Sequence, residues 1–173
     1  MKKIIAVLIV SLSASQIQAQ VAISKANVTN GSVSLEFANT ENRGLVLPYV
    51  IDKSGITENG TMIYDTTDHK VKYLKDNAWF DFSVDASGTA DLSIQGTDKT
   101  EQPGAKVAIY TTGNTDNTAG ILVLGDTNKA MILPQVASPH LNIINPSPGM
   151  MVYDTTKRQL AVYNGMVWSF WKP

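Results

Sequence analysis

Residues 149–168 read GMMVYDTTKRQLAVYNGMVW, and residues 60–79 read GTMIYDTTDHKVKYLKDNAW. At a constant offset of 89 the two segments share Gly60/Gly149, Met62/Met151, Tyr64/Tyr153, Asp65/Asp154, Thr66/Thr155, Thr67/Thr156 and Trp79/Trp168. Ile63/Val152 and Val71/Leu160 are apolar in both. Seven identities in twenty positions without a gap exceed chance, and the flanks agree too: Asn42-Arg43-Gly44-Leu45-Val46-Leu47-Pro48 precedes one segment and Asn128-Lys129-Ala130-Met131-Ile132-Leu133-Pro134 the other. That upstream offset is 86, so the second segment has gained three residues between its Pro and its Gly. Self-similarity at a fixed spacing implies a duplicated structural unit, and it settles the architecture before any other signal.

Each unit reads as an antiparallel three-strand meander. Met62–Tyr64 alternates as a first strand, and Asp65-Thr66-Thr67-Asp68 forms a turn whose side chains can bond nearby backbone N–H groups. Val71–Leu74 is the second strand. A tight turn follows at Asp76-Asn77, or at Asn164-Gly165 in the second unit, where Gly165 accepts positive φ without steric cost. Ala78–Phe82 and Val167–Trp171 close the two meanders.

Outside the units, Gln20–Val28 reads as a strand, and Asn30-Gly31 before Val33–Phe37 signals a hairpin. Leu45–Val50, broken by Pro48, reads as an edge strand because proline cannot donate to a ladder. The Gly/Thr/Asp/Asn-rich stretch after Ser83 holds expected strands near Leu92–Ile94, Val107–Thr111 and Ile121–Leu124. Past the leader no window shows a sustained helical period, so the class is all-β. The expected organisation is a signal-peptide helix over 1–19, an N-terminal β region with the first unit over 20–82, a central β/loop segment over 83–127, and a C-terminal β region with the second unit over 128–173. Neither unit is large enough to bury a core alone. The units must pack on each other, on the central segment, or on other chains as a trimer or filament.

The leader carries Met1-Lys2-Lys3, an apolar run from Ile4 to Leu12, and small residues up to Ala19. This is the pattern of a secretory signal, with cleavage expected after Ala19. The apolar run is about half of the roughly 20 residues a membrane span requires. Without Lys2 and Lys3 the chain keeps 12 basic against 15 acidic side chains, a formal charge of −3. Nucleic acid, which selects a basic face, is therefore not an expected partner. No cysteine is present, so stability must come from packing and no lipid can be attached through cysteine.

Candidate ligand-contacting rings are Tyr64, Trp79, Tyr153, Trp168 and Trp171, with Phe170 beside them. A sugar-binding surface needs such rings exposed. The competing expectation is that Trp79 and Trp168 pack across the strands on Tyr64 and Tyr153 as core. Asp65 and Asp154 are the residue type of the carboxylate pair that serves glycoside hydrolysis, but each sits in its own Asp-Thr-Thr turn, which accounts for it. Asp116 with Asn114 and Asn117, or Asp85 with Asp91, supplies oxygen ligands without the spacing of a calcium loop. His69 and His140 have no partner in sequence. No catalytic residue, cofactor or metal set is assigned.

The string Asn-(Lys/Arg)-(Gly/Ala)-x-x-Leu-Pro, a loop, Gly-x-x-x-Tyr-Asp-Thr-Thr, an aromatic-rich strand, Asn-Gly and Trp resembles a module of secreted Bacteroidota proteins. It is also similar to segments of phage tail-fibre-like proteins. The resemblance covers 42–82 and 128–171, and it departs from pattern at Lys75-Asp76 and at Ala130. It implies a β-rich surface or spacer module without assigned activity, and it makes Thr66 and Thr155 acceptors for O-glycosylation in an Asp-Thr-Thr site. The expected function is an exported, non-enzymatic structural, adhesion or fibre-like module with protein or glycan partners at the cell surface; packing of the two units within one chain is favoured, and a homo-oligomer such as a trimer is the alternative. The alternative function is a carbohydrate-binding module, and more remotely a glycan hydrolase. Location in the periplasm, at the cell surface or outside the cell is left open.

Overall fold

The computed structural model describes residues 19–93, 102, 104–110 and 117–172, and it is nearly all β. One four-stranded sheet runs β4 (Tyr49–Val50), β5 (Met62–Asp65), β6 (Lys70–Lys75) and β7 (Ala78–Asp81). A second holds β11 (Gln135–Val136), β12 (Met150–Asp154), β13 (Gln159–Tyr163) and β14 (Trp168–Trp171), with β3 (Leu45–Val46) also on β12. A third, parallel sheet orders β1 (Val21–Ile23), β2 (Val33–Phe37) and β10 (Ala130–Ile132). β8 (Val107–Ile109) and β9 (Leu122–Leu124) form a separate parallel pair, and the one short helix is α1 (Pro139–Asn142) among the described residues.

Both meanders form where the alternation places them, in one shared register. Met62 pairs with Tyr73 and Met151 with Val162; Leu74 pairs with Trp79 and Tyr163 with Trp168. Each of these pairs maps onto the other at the offset of 89. The first hairpin of each closes in the same backbone form, with positive φ at His69 (58°) and at Arg158 (55°). The second turns differ. Asp76 and Asn77 both have positive φ, the pattern of a type I′ turn, whereas in the other meander positive φ falls at Gly165 alone, the type II′ pattern. The turn expected at Asn164-Gly165 is therefore centred one residue later, on Gly165-Met166. Asn164 becomes its buried corner, accepting through Oδ1 from the N–H groups of Met166 and Val167.

The Leu-Pro segments do more than end an edge strand. Pro48 O accepts from Tyr64 N and Pro134 O from Tyr153 N, so the strand after each proline joins its own meander in parallel. Before Pro48 the chain belongs elsewhere: β3 pairs antiparallel with β12 of the other meander, Leu45 opposite Met151 and Val46 opposite Met150. The expected single strand over Leu45–Val50 is thus two strands in two sheets. A proline between them removes a donor at the step where neither ladder needs one.

The hairpin expected at Asn30-Gly31 does not form. Neither residue has positive φ, and β1 pairs with β2 in parallel, Val21 opposite Leu35. The intervening loop folds back across β2, where buried Glu36 accepts from Thr29 N, Thr29 Oγ1 and Lys25 Nζ. The chain consequently re-enters the sheet in its original direction, as in one turn of a solenoid. β8 and β9 repeat that geometry, with Val107 opposite Leu122. Of the strand expected near Leu92–Ile94, Leu92 and Ser93 are not in a strand, and Ile94 lies outside the described residues, as do residues 1–18 of the leader.

The main core lies between the two meanders. Tyr64 and Val71 of one pack with Met151 and Val162 of the other, with Leu47 among them. Tyr64 is fully buried, and its hydroxyl donates to Asn164 O across the interface at 2.7 Å. Burial raises this phenol's pKa first, Tyr49 and Asp68 raise it further, and the result is about 12. A second cluster, Val136, Ile143, Met150, Val152 and Ala161, fills the opposite face of the second meander, beneath the segment that contains α1. Ser83–Ala90 runs across to that meander: Val84 N donates to Ser169 Oγ, and Asn164 Nδ2 donates to Asp85 Oδ1.

Candidate interaction surface

The aromatic residues divide by strand parity. Tyr64 pairs with Val71 and faces the core, while Trp79 pairs with Leu74 on the opposite face. Trp79 and Trp168 therefore do not pack on Tyr64 and Tyr153, because consecutive strand positions point to opposite sides. Trp168 instead tilts against its cross-strand neighbour Tyr163, ring centroids 5.2 Å apart. Trp79 lines an open groove of about 500 Å³ with Leu74, Ile51 and Ile56. Both tryptophans are half-buried.

The two equivalent tyrosines part company: Tyr64 is sealed, whereas Tyr153 is 37% exposed. Phe80, Phe170 and Trp171 on the closing strands are exposed as well. Phe80, Phe82, Tyr73 and Trp171 form an edge-to-face and stacked cluster, and Trp171 Nε1 donates to Phe82 O at 2.6 Å. Phe170, on the other face, stacks with Trp168 and meets the edge of His140. Sequence reasoning passed over Phe80 and Phe82. Their alternation with Trp79 and Asp81 was the signal that could have found them.

Both Asp-Thr-Thr turns are closed by their aspartate, with different chemistry. Asp65 Oδ1 accepts from Thr67 N and Thr67 Oγ1, and its Oδ2 sits 2.6 Å from Lys53 Nζ. Asp154 Oδ1 accepts from the backbone N–H of Thr156, Lys157 and Ser138, and its Oδ2 from Gln159 Nε2. Burial pushes both carboxyls up, but the lysine on Asp65 and the N–H groups on Asp154 outweigh it and hold both below the ordinary range. Each carboxylate is thus engaged by its own turn and by one residue outside it, Lys53 for Asp65 and Ser138 for Asp154. Thr66 is half-buried and donates to Val50 O, while Thr155 is exposed.

Other candidates sit apart. Asp85 accepts from Ser87 and Asn164, and Asp91 from Ser93. Asn114 and Asp116 lie outside the described residues, and Asn117 is exposed. His69 is half-buried at its turn, and His140 is exposed. Among the described residues no group of three acidic, histidine or cysteine side chains could hold a metal. No helix among them is long and apolar enough to cross a membrane.

A different kind of surface stands on β8 and β9. All six of their residues are apolar, yet Val107 is 59% and Leu122 44% exposed, and neighbouring Ile121 is 60% exposed. Parallel strands that are apolar throughout belong to sheets covered on both faces. Among the described residues the pair is buried at Ile109, where Gly125 N donates to Ile109 O and Tyr110 lies over Gly125.

Comparison with known families bears on this same part of the chain. Residues 100–172 match a family described as a phage tail like trimerisation region. The match takes in β8, β9, β10 and the second meander and leaves out 42–82, so it reaches into the central segment that the sequence resemblance did not cover. It supports a relation to phage tail-fibre-like proteins. No curated protein and no solved structure gives a match.

Proposed function

We propose that this chain is an exported, non-enzymatic structural module of a fibre or adhesive surface assembly, built from a duplicated β-unit and working as a homotrimer. The observation that carries the reading is the match of residues 100–172 to a trimerisation region. The exposed apolar strands within those residues agree with it. Cell-surface proteins or glycans are the partners such a module would hold. The decisive measurement is the solution mass of the purified protein by light scattering. A particle of three chains that persists on dilution is expected, and a monomer at high concentration would overturn the reading.

A second reading, carbohydrate binding, is favoured by the exposed rings of Phe80, Phe170 and Trp171. It predicts glycan-array binding that Trp171→Ala abolishes while the fold survives. Export predicts that the protein recovered from its host begins at Gln20. O-glycosylation at Thr155, and at Thr66 if its hydroxyl leaves Val50 O, predicts a sugar increment in the intact mass. An unmodified mass would remove that idea.

A further inference from the structure

We infer that the copies meet along β8 and β9, with the side chains of Val107 and Leu122 from each chain packed around a common axis. This deepens the trimer reading above and rests on it. Register places Val107, Ile109, Leu122 and Leu124 on one face and Ala108 and Val123 on the other. A two-stranded pair of three residues per strand cannot hold itself in water. Ile109 is buried, at 6% exposed, whereas Val107 and Leu122 at the other end are 59% and 44% exposed.

The segments that flank the two strands in sequence are polar. Those outside the described residues, 94–101, 103 and 111–116, read IQGTDKTE, Pro and TTGNTD, with Ile94 as their one large aliphatic side chain. The strands themselves carry no charge that would select a partner of opposite sign, which leaves apolar self-contact as the means of recognition. Residues 100–172, the part that matches a trimerisation region, contain both strands. Identical apolar strand pairs from three chains would bury one another and close the assembly, whereas an unclosed contact would propagate.

Because the chain has no cysteine, single-cysteine variants give a clean test. In Leu122→Cys or Val107→Cys, mild oxidation should link two of the three chains into a covalent dimer within a particle of unchanged trimeric mass. The same substitution at exposed Lys157 sets the background rate. Leu122→Asp, with its near-ultraviolet circular dichroism unchanged, should weaken assembly by on the order of tenfold or more, since a charge would be buried without a partner. A trimeric particle whose cysteines at 107 and 122 link no faster than at 157, and which tolerates Leu122→Asp, overturns this seam and leaves the trimer reading standing. A monomeric particle overturns both.

Discussion

Gly44 and Ala130 occupy equivalent positions ahead of the two Leu-Pro segments, and clearance distinguishes them. A Cβ on Gly44 would lie 2.4 Å from Met150 Cγ and 2.7 Å from Val152 Cγ1. Gly44 lets β3 reach the second meander, whereas Ala130 is exposed beside β2. Gly44→Ala should therefore destabilise the protein by about 1–3 kcal/mol, the cost of an overpacked core, read as a lower midpoint in urea. Glu36 yields a prediction in pH. Hydrogen bonds from Lys25 and Thr29 outweigh burial and lower its pKa from 4.5 to about 2. A depressed carboxylate contributes stability that is present above the unfolded value and lost as pH falls through the folded one. The thermal midpoint of the parent should thus drop between pH 4.5 and about 2, and Glu36→Gln, less stable at neutral pH, should show a shallower drop across that window.

At the scale of elements, the two meanders share a register but close their second turns differently. Asp76 and Asn77 both hold positive φ and are exposed, while Gly165 has φ 102° and would set a Cβ 2.1 Å from Thr89 O. Gly165→Ala combines backbone strain with a clash against main chain that cannot swing away. It should cost about 2 kcal/mol or more. Gly60→Ala, with φ 92° but nothing within 4 Å, should cost only the strain, about 1–2 kcal/mol. Chemical denaturation of the two variants side by side checks the order. The element level also shows where pattern reading fails. Asn30-Gly31 has the composition of a hairpin, but Glu36 gathers the loop onto β2 and the strands run parallel. A local turn signal cannot report a buried carboxylate six residues further on.

For the whole molecule, the core shared by Tyr64, Val71, Met151 and Val162 makes each meander the cover of the other. Met151→Ala opens a cavity there and should cost about 2–5 kcal/mol. Because the core is common, tryptophan fluorescence and far-ultraviolet circular dichroism should report one coincident transition in that variant. Two separated transitions would mean that the halves fold independently. The pairing of β3 with β12 reinforces the same coupling, since a strand preceding the first unit completes the sheet of the second.

The sequence by itself determined the local order: alternation and the Asp-Thr-Thr turns set the strands of both meanders and their shared register, because those features act over a few residues. Only the tertiary structure decided which faces were covered. Tyr64 and Tyr153 are the same residue in the same local setting, yet one is sealed against Asn164 and the other meets solvent. Burial depends on what arrives from distant parts of the chain, and no period in a single strand encodes that arrival.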